Sequence, residues 1–145
     1  RPPNHVPRTR NLPMSVNLLV RIFLTAVGAL YAYLAWWCSV SPAETSQLVG
    51  FQLVGGSGRS EFLTVYGGLE AGMAAIFLLP LLKPALQHSA LLNCTLIHFG
   101  LVAFRTAGFL LFTEIQPMTI KLAAGEWAIL IICLLLLWKS PKSRR

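Results

Sequence analysis

The chain has 145 residues, of which 55% are hydrophobic and only 12% charged, and its mean hydropathy is +0.64. Soluble domains carry about 25% charged residues, so the composition argues against a water-exposed globule. The net charge of +7 sits mostly at the two ends, on Arg1, Arg8 and Arg10 and on Lys139, Lys142, Arg144 and Arg145. These charges flank apolar runs and form no basic face, so nucleic acid is not the expected partner; a lipid bilayer is.

Four runs are long and apolar enough to cross the hydrocarbon core, which takes about 20 residues each. They cover residues 18–40, 62–82, 90–112 and 117–138. The expected architecture is an all-α, four-helix transmembrane bundle over 18–138, with basic tails at 1–17 and 139–145. A cleaved signal peptide is the rival for the first run, but that run exceeds the usual length of about 7 to 15 residues for a signal core. Met14 is an alternative start, which leaves open whether residues 1–13 belong to the mature chain. Lysine and arginine set the direction. With both termini cytoplasmic, that side also holds Lys83, whereas the far side holds only Arg59 and Lys121. A plasma or inner membrane is the favoured setting.

The connection between the first two runs carries structure of its own. Ser41-Pro42-Ala43-Glu44 reads as a capping box with proline at the first helical position, and Gly50 as a stop, which gives a short surface helix from Pro42 to Val49. Gly55-Gly56-Ser57-Gly58 reads as a flexible hinge. Ser60 would cap the second span, with Glu61 at its positive end.

The second span contains a glutamate, Glu70, inside TVYGGLEAGMAAIFLLPLL. At about 1.5 Å per residue it lies ~12 Å below the outer end of its helix. Arg105 in the third span and Glu126 in the fourth fall at nearly the same height, ~10 Å and ~13 Å deep. An isolated charge in lipid costs at least ~2.5 to 3.5 kcal/mol, so the three are expected to converge, with Glu70 pairing with Arg105. Two acids and one base leave a surplus negative charge, met either by a proton on one glutamate or by another cation. Tyr33 and Tyr66 are placed to hydrogen-bond into this cluster, which is either a site for a ligand or proton or a device that fixes helix packing.

Other polar residues read more plainly. His98 is expected to be neutral and bonded to a carbonyl rather than to a metal, since only Cys94 accompanies it at helical spacing. Arg21 is expected to snorkel to the headgroups. Cys38, Cys94 and Cys133 read as small buried hydrophobes. Asn93-Cys94-Thr95 matches a glycosylation triplet but lies in an apolar run, so it carries no weight. Gly68 and Gly72 form a GxxxG pair expected to pack within the chain. No phosphate loop, nucleophile elbow or HExxH motif is present, and there is no aspartate, so neither a cofactor nor a metal is expected.

The stretch GRSEFLTVYGGLEAG, followed by an arginine in the third span and a glutamate in the fourth, resembles the small four-helix membrane proteins grouped as domain of unknown function 4345. The resemblance runs from about Pro42 to Trp138 and rests chiefly on Arg59, Tyr66, Gly67 and Gly68. It implies that Arg59, Glu61, Tyr66, Gly67, Gly68 and Arg105 share a site or a packing role, and it implies no particular reaction. The basic, proline-bearing N-terminus departs from that pattern.

Three readings follow. The first is a non-catalytic accessory or scaffold for other membrane proteins, of unknown oligomeric state. The second is a binding or proton-handling site for an anionic lipid or small acid, built from Tyr33, Tyr66, Glu70, Arg105 and Glu126. The third is a small membrane enzyme with Glu70 or Glu126 as acid or base.

Overall fold

The structure is a computed structural model and describes residues 14–139. The tail residues Arg1, Arg8, Arg10, Lys142, Arg144 and Arg145 lie outside the described residues. Helix α1 spans Met14–Val40 and the short α2 Pro42–Leu48. Helix α3 runs from Gly55 to Leu82, with a π-helical stretch over Leu63–Leu69 between two α-helical parts. A 3₁₀ turn at Pro84–Leu86 leads into α4 at Gln87–Leu111, and α5 covers Pro117–Lys139. No strand occurs among the described residues.

Helices α1, α3, α4 and α5 are each long and apolar enough to cross a membrane. Their outward faces carry bare hydrophobes such as Phe104, 84% exposed, and Leu110, 83% exposed. Water would penalise such a surface, and acyl chains do not. The chain is therefore a multi-pass, all-α membrane protein.

Two features of the first connection follow the expectation and two depart from it. Helix α2 begins at Pro42 and closes with a Schellman motif, in which Phe51 N–H donates to Ser46 C=O and Gly50 N–H to Gln47 C=O. Gly50 sits at φ 84°, a conformation that a side chain rarely tolerates. The capping box does not form: the Ser41 hydroxyl makes no cap, and Thr45 instead donates to the Ser41 carbonyl. The GGSG stretch is not a hinge either. It forms the first turn of α3, begun by Val54, whose carbonyl accepts from Gly58 N–H at 3.1 Å. The second span consequently starts at Gly55 rather than at 62, and Ser60 lies within it, away from the cap.

The inward stripes of the four long helices follow helical spacing. In α1 they are Val20, Leu24, Val27 and Tyr31, which pack on Met73, Ala74 and Phe77 of α3. Leu91 and Cys94 of α4 and Cys133 and Leu136 of α5 complete this core. Apart from Tyr31 and Met73, which also border the cavity, this core lies in the half of the bundle remote from α2. Toward α2 the same stripes continue, but they diverge around a cavity.

Close approach of α1 and α3 needs small residues at two levels. A Cβ on Gly67 would lie 2.6 Å from the Ser39 hydroxyl, and one on Gly28 would lie 2.7 Å from Leu78 Cγ. By contrast, a Cβ on Gly68 or Gly72 would meet nothing within 4 Å. The GxxxG pair therefore faces away from the bundle, contrary to the intrachain packing expected of it; Gly67 takes that role. At the other end of α3, the Arg21 guanidinium donates to the Leu81 carbonyl at 3.3 Å, so it closes a helix end as well as lying exposed.

Candidate functional site

Between α1, α2, α3, α4 and α5 lies a cavity of about 410 Å³ at the α2 end of the bundle. That volume falls in the range of small-molecule sites, about 300 to 1,000 Å³. Its lining is mostly apolar, supplied by residues such as Leu34, Phe62, Leu69, Leu101 and Leu122. Helix α2 roofs it through Thr45 and Leu48, together with Val49 at its C-cap.

The charged residues of three spans meet on this cavity. Glu70 comes from α3, Arg105 from α4 and Glu126 from α5. They lie on the inward stripes that supply the core further down, so the helices cannot bury their apolar residues without turning these groups inward as well. The pairing differs from the expected one. Arg105 holds Glu126, with Nε donating to Oε2 at 2.5 Å and Nη2 to Oε1 at 2.6 Å, a bidentate fork. Among the described residues this is the only ion pair. Glu70 makes no hydrogen bond there, and its Oε2 is sealed from solvent without a partner. The two glutamates share a height but differ in azimuth, and helix packing gives the fork to the one on α5.

Tyr66 lines the cavity as expected, stacked on Phe62 at 4.6 Å between ring centroids. Tyr33 does not. It is 53% exposed on the outer face of α1, its ring near those of Trp36 and Trp37. Tyr31, two residues earlier, occupies the cavity wall in its place. Two positions correspond to about 200° around a helix, so Tyr31 and Tyr33 cannot share a face. Tyr31 is also tied to His98, its hydroxyl 3.1 Å from Nε2. The His98 Nδ1 must be the donor to the Cys94 carbonyl at 2.8 Å, because a carbonyl only accepts. Neutral His98 therefore accepts from the Tyr31 hydroxyl at Nε2, and the tyrosine oxygen keeps its lone pairs.

Below this floor Cys94 and Cys133 lie 3.5 Å apart, both wholly buried and both free thiols. Their separation in sequence hid a contact that the α4–α5 packing creates. Arg59 and Glu61 lie elsewhere, both exposed, with Arg59 on a shallow groove beside α2 rather than in the cavity. Gly67 touches α1, while Gly68 and Gly72 face outward. The π-helical stretch ends immediately before Glu70 and contains Tyr66. Such wider turns recur at functional sites, and sequence spacing carries no clear mark of them.

The fold and cavity together define a class, a four-span membrane protein with a largely apolar chamber and a charged floor. No family model, curated protein or solved structure matches the chain.

Proposed function

We propose that this protein holds a small amphiphilic molecule within the membrane, in the cavity roofed by α2. The observation that carries this reading is the union of about 410 Å³ of mostly apolar space with a few convergent polar groups. Binding sites for small molecules combine those two properties. The anionic ligand suggested by Arg105 alone loses support, because the arginine's Nε and Nη2 are committed to Glu126. The reading includes both termini in the cytoplasm, supported by the lysine and arginine distribution, and kinship with the four-helix family that the Arg59 to Gly72 stretch resembles.

Native mass spectrometry of the protein released from detergent-free lipid discs tests the proposal. An adduct heavier than water or ions is expected on the wild-type chain and is expected to be reduced in Leu122→Trp, which projects a larger ring into the chamber. Equal adduct on both chains, or none on either, would refute the reading.

A second reading, a scaffold for other membrane proteins, is favoured by one observation. Gly68 and Gly72 lie on the outward face of α3, where no described residue comes within 4 Å of the place a Cβ would take. Small residues at such positions let a second helix approach closely. Crosslinked partners that disappear with Gly72→Leu would support it, and an unchanged crosslinking pattern would count against it.

A further inference from the structure

The cavity's polar groups are unequally supplied with donors. Arg105 gives two of its donor nitrogens to Glu126. The Tyr31 proton is directed to His98, leaving oxygen lone pairs at the wall. Glu70 Oε2 is buried with no donor at all. Lys121, also on the wall, is exposed and forms no ion pair with Glu70. Among the described residues the one buried polar atom left unmet on this wall is thus an acceptor, a carboxylate oxygen. A buried carboxylate oxygen without a hydrogen bond is costly, and a ligand that brings donors removes the cost.

From this we infer that the occupant is a lipophilic amine, whose ammonium group donates to Glu70 and whose alkyl part fills the apolar space beneath α2. An ammonium offers three donors and no acceptor, which complements Glu70 and the Tyr31 oxygen. Its charge also meets the surplus negative charge left once Arg105 and Glu126 neutralise each other. A fatty acid would bring a second carboxylate beside Glu70. A fatty alcohol would supply one donor but no charge, so it would leave the carboxylate's negative charge uncompensated. The inference rests on the cavity being a binding site.

The test uses the full chain in phosphatidylcholine nanodiscs, titrated with dodecylamine, dodecanol or dodecanoic acid against protein-free discs. Trp37 lines the chamber, so its fluorescence reports occupancy once Trp36, Trp127 and Trp138 are replaced by phenylalanine. Dodecylamine is expected to saturate the signal at least about tenfold more tightly than the other two probes, the scale of one charge-assisted hydrogen bond. Glu70→Gln, which keeps the side chain's shape, is expected to weaken dodecylamine about tenfold and to weaken dodecanol much less, since the alcohol carries no charge for the carboxylate to meet. Equal affinities for amine and alcohol, tighter binding of dodecanoic acid, or amine binding indifferent to Glu70→Gln would overturn the amine while leaving the chamber's binding role intact. No saturable response to any of the three would remove both.

Discussion

Arg105 and Glu126 show how a charge is tolerated between membrane spans. Each side chain is partly covered, 26% and 12% exposed, and the fork gives every charged oxygen of Glu126 a donor. Losing one partner strands the other, which costs about 1 to 3 kcal/mol or more for a charged group. Arg105→Ala is therefore expected to lower resistance to unfolding in mixed micelles by that amount. Adding Glu126→Gln should recover part of the loss, and adding Glu70→Gln should recover none. Recovery by the Glu70 change instead would reverse the pairing described above. Tyr31→Phe is a separate case, since it leaves the fully buried His98 Nε2 without its donor. A loss of about 1 to 3 kcal/mol is expected in the same assay. Sequence conveyed the height of these residues, because rise per residue converts position into depth. Azimuth was another matter. Glu70 and Glu126 are equivalent by depth, and Tyr33 is as close to the right level as Tyr31; only the packing of whole helices decides which of them turns inward.

Helix α3 departs furthest from what its residues suggest. Its glycines are two kinds of position that composition cannot separate. Gly67→Ala would drive a methyl group against Ser39 and to within 3.2 Å of Leu63 Cδ1, so it should destabilise the chain measurably. Ser39→Ala in the same chain should relieve much of the effect, because the hydroxyl is the nearest obstacle. Gly72→Ala meets open space, and its effect on stability should stay within about 0.5 kcal/mol, if anything favourable through helix propensity. Thermal unfolding of the three variants in one lipid composition checks the order. The GGSG stretch illustrates the opposite error. Four flexible residues read as a hinge, yet continuation of a long apolar helix and the Val54 start recruit them into a regular turn. The π-helical stretch, which packs against α1, was not legible at all, because no side-chain pattern marks its wider turns.

At the scale of the molecule the bundle has two storeys. The half remote from α2 is a dry core of aliphatic and aromatic side chains, and the half beneath α2 is a chamber. The existence, number and order of the spans were readable because hydropathy over about 20 residues is a strong signal. The chamber was not, because empty space is a property of how helices diverge. Orientation yields a prediction of its own. In the proposed topology four crossings put both ends on one side, and the basic residues favour the cytoplasm for it. Epitope tags at either end should resist protease in sealed, right-side-out cells and be cut when the inner face is opened. A tag inserted at Gln52 in the α2–α3 loop should show the reverse.

The three thiols differ in what stands between them and a reagent. Cys38 borders the chamber, while Cys94 and Cys133 are locked between α4 and α5 with no exposed surface. A slim, lipid-permeant alkylating compound would thus run two clocks in one chain. Its fast phase, at Cys38, would time the door beneath α2, and its slow phase would time the parting of the last two helices.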